Sequence, residues 1–114
     1  MNRRIALRIR DALDAMEAAE GFIDGAPRAF VGDLKTLYAV EYCFIVLGEA
    51  LGHVPDDVRA AHPEVPWREI AGMRNRIAHD YLGVDRELIW RTVTNEFPAV
   101  RPLLQRALRS LEDE

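Results

Sequence analysis

Apolar residues recur every three to four positions along most of the chain, the period of a helix with one buried face. Ile5, Ile9, Ala12, Leu13, Met16 and Ile23 share one side of the first segment, and Arg8, Asp11, Asp14 and Glu17 take the other. This predicts a helix from about Asn2 to Ile23, ending near Gly21, Gly25 and Pro27. Asp33 is a good cap for a second helix, Leu34 to Leu51, with Gly52 as its stop. That helix carries two apolar stripes. One is Leu34, Leu37, Tyr38, Phe44, Ile45, Gly48 and Leu51; the other is Val40, Cys43, Val46, Leu47 and Ala50. A helix so apolar belongs either in the middle of a bundle or under a second subunit. Glu41 and Glu49 interrupt it, and each either reaches the helix edge or needs a partner.

Pro55 can open a short third helix, Asp56 to Ala61, which stops before Pro63. A fourth runs from Trp67 to about Asp80, behind Pro66. Asp85 can cap a fifth, Arg86 to about Glu96, with Leu88, Ile89 and Val93 inward and Trp90 free to pack. Pro98 begins or kinks a sixth, through Val100, Leu103, Leu104, Ala107, Leu108 and Leu111. There is no internal repeat and no strand alternation. The expectation is an all-α, up-and-down bundle of about five to six helices with short connections, one domain spanning 1–114.

The fourth helix collects the polar chemistry. Ile70, Met73 and Ile77 set its apolar side, with Ala78 and Tyr81 nearby. At 100° per residue His79 lies about 160° from Ile77, so it points away from the core, with Asn75 and Arg76 within about 60° of it. Arg74 sits on the flank, about 20° from Tyr81. Arg74, His79 and Tyr81 spell R-x-x-x-x-H-x-Y. With Trp67 to Asn75 before it, Gly83-Val84-Asp85 after it and Leu47-Gly48-Glu49-Ala50 upstream, the chain resembles the HepT-like toxin family of the HEPN superfamily.

The resemblance implies a HEPN-type fold, a homodimer with both motifs facing one cleft, and a ribonuclease toxin paired with a nucleotidyltransferase antitoxin. It also implies that the antitoxin silences the enzyme by transferring AMP to Tyr81. In relatives the second helix often carries more polar residues before its Gly-Glu-Ala segment, whereas Tyr42 to Val46 is almost wholly apolar here. If that face lines the cleft, the site is a drier one or a weaker one.

The residues suit that chemistry. A histidine titrates near neutrality and can move a proton at working pH, and RNA supplies its own nucleophile, the 2′-hydroxyl. A guanidinium stays charged and forks onto phosphate oxygens. His79 and Arg74 are therefore the expected catalytic pair. Asn75, Arg76 and Asp80 are the expected RNA-binding or supporting residues, although Arg76 and Asn75 could simply be solvated and Asp80 could be a helix-end charge. Arg74 and His79 are about 140° apart on one helix, a poor arrangement for one phosphate. Two copies of the helix across a two-fold axis could supply both.

Composition changes this picture little. The chain has 114 residues and a net charge of −4, which argues against a general nucleic-acid binder without excluding a local basic site. No apolar run is long enough to span a bilayer, and no signal peptide is read at the start. A lone Cys43 excludes an internal disulfide and suits a cytoplasmic setting. His53, His62 and His79 are scattered, so no metal site and no cofactor is expected. The alternative to the ribonuclease is a non-catalytic module that binds a nucleotide or a nucleotidyltransferase through the same helix.

Overall fold

A computed structural model describes residues 2–24, 33–73, 75 and 86–113. All its elements are helical, and no strand occurs among the described residues. In chain order they are α1 (Asn2–Ile23), α2 (Leu34–Gly52), α3 (Asp56–Ala61), α4 (Trp67–Ala71), α5 (Arg86–Arg91), a π-helical turn (Thr92–Glu96) and α6 (Phe97–Glu112).

The core sits where α1 meets α2 on one flank and α6 on another. Ile9, Ala12, Met16 and Ala19 of α1 are fully buried, and so are Val40, Leu47 and Leu51 of α2 and Leu104 and Ala107 of α6. The small residues along α1 let its neighbours approach, and the large ones fill the space between. Phe44 of α2 meets Phe97 of α6 with ring centroids 5.6 Å apart and planes tilted by 50°, a favourable aromatic arrangement. Ion pairs Arg10–Glu112 and Arg101–Glu20 join α1 to α6 at the surface. α4 packs on α2.

Helix boundaries follow local chemistry. Asp33 caps α2 as expected: its carboxylate accepts from the Lys35 N–H at 3.1 Å, the Thr36 N–H at 3.4 Å and the Thr36 hydroxyl at 2.6 Å. Pro55 and Pro66 stand one position outside α3 and α4 as lead-in residues rather than first helical residues, Pro55 with extended backbone and Pro66 with neither extended nor helical backbone. The segment from Arg86 to Glu112 differs more from expectation. The fifth and sixth helices are continuous, joined by a widened turn in which the Phe97 N–H donates to the Thr92 carbonyl, five residues back. Pro98 explains it: proline has no N–H for the carbonyl four residues earlier, and its ring crowds that carbonyl in a regular helix. Two threonines occupy the distorted turn, their hydroxyls donating to the Leu88 carbonyl at 2.7 Å and the Trp90 carbonyl at 2.8 Å. Pro102 lies inside α6 on its exposed side, and the helix continues through it.

The second helix separates the alternatives left open by its two stripes. Leu37, Val40, Cys43, Phe44, Leu47, Ala50 and Leu51 are buried. Leu34, Tyr38, Tyr42 and Ile45 remain exposed, Tyr38 by 61% and Tyr42 by 65%. One side of α2 is thus exposed among the described residues. Glu49 reaches solvent, but Glu41 does not fully: its Oε1 is buried with no hydrogen-bond donor among the described residues. Burial pushes the Cys43 thiol up, away from its reactive thiolate form.

The Asp33 cap makes a pH-dependent contribution. The Thr36 hydroxyl, and then the Thr36 N–H, hold its carboxyl below the usual aspartate range. The cap therefore stabilises the fold fully above the unfolded-state value and is lost as pH falls through the lowered folded value. Thermal melts followed by circular dichroism should show Asp33→Ala melting below wild type at neutral pH, with the gap closing in acid. Asp33→Asn, which caps without a charge, should keep its midpoint relative to Ala throughout.

Candidate active site

The described part of the expected motif helix is a short anchor. Val65, Trp67, Ile70 and Met73 are all buried. The Trp67 indole N–H donates to the His62 carbonyl at 2.9 Å, and its backbone N–H donates to the Val65 carbonyl at 2.8 Å. The side chain that begins α4 is thereby tied to the turn before it. Ile70 N–H donates to the Pro66 carbonyl at 3.0 Å, giving the first full turn. At Gly72, α4 closes: its N–H donates to the Arg68 carbonyl at 2.9 Å. A Cβ there would stand 3.2 Å from that same carbonyl, so a glycine eases a tight exit. Asn75 follows, exposed, its N–H donating to the Gly72 carbonyl at 3.1 Å.

Of the residues expected to form the site, only Asn75 falls within this description, and it is exposed as its helical position required. Arg74, Arg76, His79, Asp80 and Tyr81 lie outside the described residues, as do Gly83 and Asp85.

Arg59 is a residue that the sequence pattern did not reveal. From α3 its Nε donates to the Val54 carbonyl and its guanidinium to the Leu51 carbonyl, both at 3.0 Å. It thus adds a donor to the Leu51 carbonyl in the last turn of α2 and to the Val54 carbonyl in the turn that follows. Seen in sequence, a basic residue in the last turn of a short helix reads only as a charge matched to that helix's own dipole. The contact joins α3 to α2 and so helps position the Pro63–Trp67 turn from which α4 springs. A polar hollow of about 540 Å³ beside this junction is lined by Arg59, Glu64, Trp67, Arg68 and Glu69 among others.

Two apolar or charged features flank this scaffold. The bare stripe of α2 borders a groove of about 670 Å³ between α1 and α2, lined by Ala15, Ala18, Phe22, Tyr38, Tyr42 and Val46 with Asp11 and Asp14 on its rim. A second cleft, about 800 Å³, lies where the start of α1 faces the turn after α2, and it is strongly basic.

The profile of ribonuclease HepT-like proteins matches residues 12–107. The chain belongs to the ribonuclease HepT-like family. The matched span holds α2, α3, α4, the whole Arg74–Tyr81 segment and most of α6. Among curated relatives, the chain is 37% identical over 94 residues to "Probable ribonuclease HepT" of Thermococcus cleftensis, covering 82% of this chain and 86% of the relative. It is 32% identical over 111 residues to "Putative RNase MJ1216" of Methanocaldococcus jannaschii, covering 96% and 92%. A further protein of that organism, "Putative RNase MJ0125", is 35% identical over 85 residues, covering 75% and 73%. No solved structure gives a significant match. The all-helical architecture is that expected of the family. No described helix is long and apolar enough to cross a membrane.

The Arg59 contact predicts a measurable loss. Arg59→Met keeps the aliphatic stem but removes two charge-assisted hydrogen bonds to part-buried carbonyls. It should cost about 2 kcal/mol in urea unfolding, with an unchanged denaturant slope.

Proposed function

We propose that this chain is a metal-independent endoribonuclease whose active site is built by two copies. The observation that carries the reading is the family match, which spans the entire Arg74, His79, Tyr81 motif. In this mechanism His79 takes the proton from a ribose 2′-hydroxyl. The 2′-oxygen attacks the adjacent phosphorus, and the bond to the 5′-oxygen breaks as that oxygen is protonated by the second copy's His79. Arg74 stabilises the extra charge on the pentacoordinate phosphorus. The products are a 2′,3′-cyclic phosphate and a 5′-hydroxyl. Asn75, Arg76 and Asp80 hold the RNA backbone or orient the imidazole.

The homodimer has support from α2. Leu34, Tyr38, Tyr42 and Ile45 form an apolar face that a single chain leaves in water. Glu41 lies at the edge of that face with a buried oxygen lacking a donor among the described residues. A second copy packed on the stripe would cover the apolar area and could bring a donor to Glu41.

In its cellular setting, the cytoplasm, we read the chain as the single-domain toxin of a toxin–antitoxin pair. A nucleotidyltransferase antitoxin would place AMP on Tyr81. An added nucleotide beside Arg74 and His79 would fill the cleft and repel RNA phosphate.

Purified protein of verified, unmodified mass, incubated with structured RNA in EDTA, tests the chemistry. Wild type should cleave and leave cyclic phosphate ends, and His79→Ala should be slower by about 10²–10⁴-fold. Stoichiometric binding of RNA or nucleotidyltransferase with no cleavage by the unmodified dimer would instead make the chain a non-catalytic module. The dimer is tested separately. Tyr38→Glu combined with Ile45→Lys should sediment as a monomer, keep its helical circular dichroism and lose cleavage.

A further inference from the structure

The cleft at the start of α1 has a composition unlike the rest of this acidic chain. Arg3, Arg4, Ile5, Leu7 and Arg8 line one wall, and His53, Pro55 and Asp57 line the other. Arg3 and Arg4 are exposed and Arg8 is half-buried. None of the three has an acidic partner in an ion pair among the described residues, whereas Arg10, one turn away on another side of α1, is paired with Glu112. Asp57 is the only carboxylate in the lining and engages none of them. His53 donates its Nδ1–H to the Glu49 carbonyl at 2.7 Å, which orients the ring and leaves Nε2 as its other polar atom. Leu7, 54% exposed, stands between the arginines as an apolar surface.

Three guanidiniums with no ion-pair partner among the described residues, in one open cleft of about 800 Å³ on a chain of net charge −4, form a local site for a polyanion. The charge elsewhere repels one. Guanidiniums fork onto phosphate oxygens, and an exposed leucine between them suits the face of a base better than it suits water. Arg4 and Arg8 stand one turn apart along one helix and Arg3 lies beside Arg4, so the cations spread over more than a single small anion would need and suit successive phosphates of a chain.

We propose that this cleft is a second contact for the RNA backbone, remote in sequence from the Arg74–His79 motif, which captures substrate that the motif then cleaves. The inference rests on the ribonuclease reading. It explains how a chain with an acid excess can hold RNA: the binding charge is gathered in one place. Arg3, Arg4 and Arg8 are assigned to backbone binding rather than to chemistry.

The test measures binding of a fluorescently labelled single-stranded RNA by anisotropy over a series of salt concentrations, with full-length dimer carrying His79→Ala to prevent cleavage. Two charge-matched variants are compared in that background. One carries Arg3→Gln, Arg4→Gln and Arg8→Gln. The other carries Arg91→Gln, Arg106→Gln and Arg109→Gln, which removes the same charge from exposed positions on α5 and α6. Removing three phosphate contacts should flatten the plot of log affinity against log salt by about 2 and weaken binding about tenfold at low salt, in the first variant alone. Circular dichroism checks that both remain folded. Equal losses in the two variants would mean diffuse charge and overturn the cleft as a site, and so would no loss in either. Those results leave the ribonuclease reading standing wherever wild type cleaves RNA. Failure of the wild type both to bind and to cleave RNA would remove that reading and this inference together.

Discussion

The packing of α1 on α2 is the constraint on which the other positions depend. The buried residues of α1 include the small Ala12, Ala15 and Ala19, and those of α2 include the large Phe44, Leu47 and Leu51. Close packing of this kind leaves few alternative ways to seat the two helices. Once they are seated, the remaining elements have little choice. α6 must cover the other side of α1, where Leu104 and Ala107 complete the core, and Phe97 must reach Phe44. The π-helical turn that precedes Phe97 is the local distortion imposed by Pro98 within that packing.

The same interface determines what stays uncovered. α1 and α4 both pack on α2, and among the described residues Leu34, Tyr38 and Ile45 are left exposed. A surface stripe with two tyrosines and two branched aliphatics is costly to leave in water and cheap to cover with a copy of itself. The motif segment begins from an anchor on this same helix, held by the Trp67 indole and, through α3, by Arg59. Scaffold, apolar face and the anchor from which the motif segment starts therefore belong to one structural unit. The basic cleft beside the turn after α2 suits a different task, to hold a long polyanion rather than to react with it.

Much of the architecture was legible along the chain because helices are local. The 3.6-residue period placed α1 and α2, and Asp33 announced its cap because the bond it makes reaches only three residues ahead. The family was legible for a different reason. Its motif is compact, with Arg74, His79 and Tyr81 close together and Trp67-Arg68-Glu69 just before them. Long-range partners were not legible. Nothing in the local pattern around Arg59 shows that its guanidinium closes a helix eight residues earlier. Nothing around Arg3, Arg4 and Arg8 shows that they share a cleft with His53, because the turn after α2 reaches them only through the fold. The continuous passage from α5 into α6 was also hidden, since a proline reads equally as a break or as a widened turn until packing selects one.

Sequence alone determined the helical class, the main helix boundaries and the membership that the motif signals, because each depends on contacts within a few residues. Tertiary structure alone decided which side of α2 is buried, which carboxylate loses its solvent and which arginines gather around one cleft. Those outcomes depend on which helices become neighbours. The 40-odd residues between Arg8 and His53 carry no local mark of that meeting; only the packing of α1 against α2 brings it about.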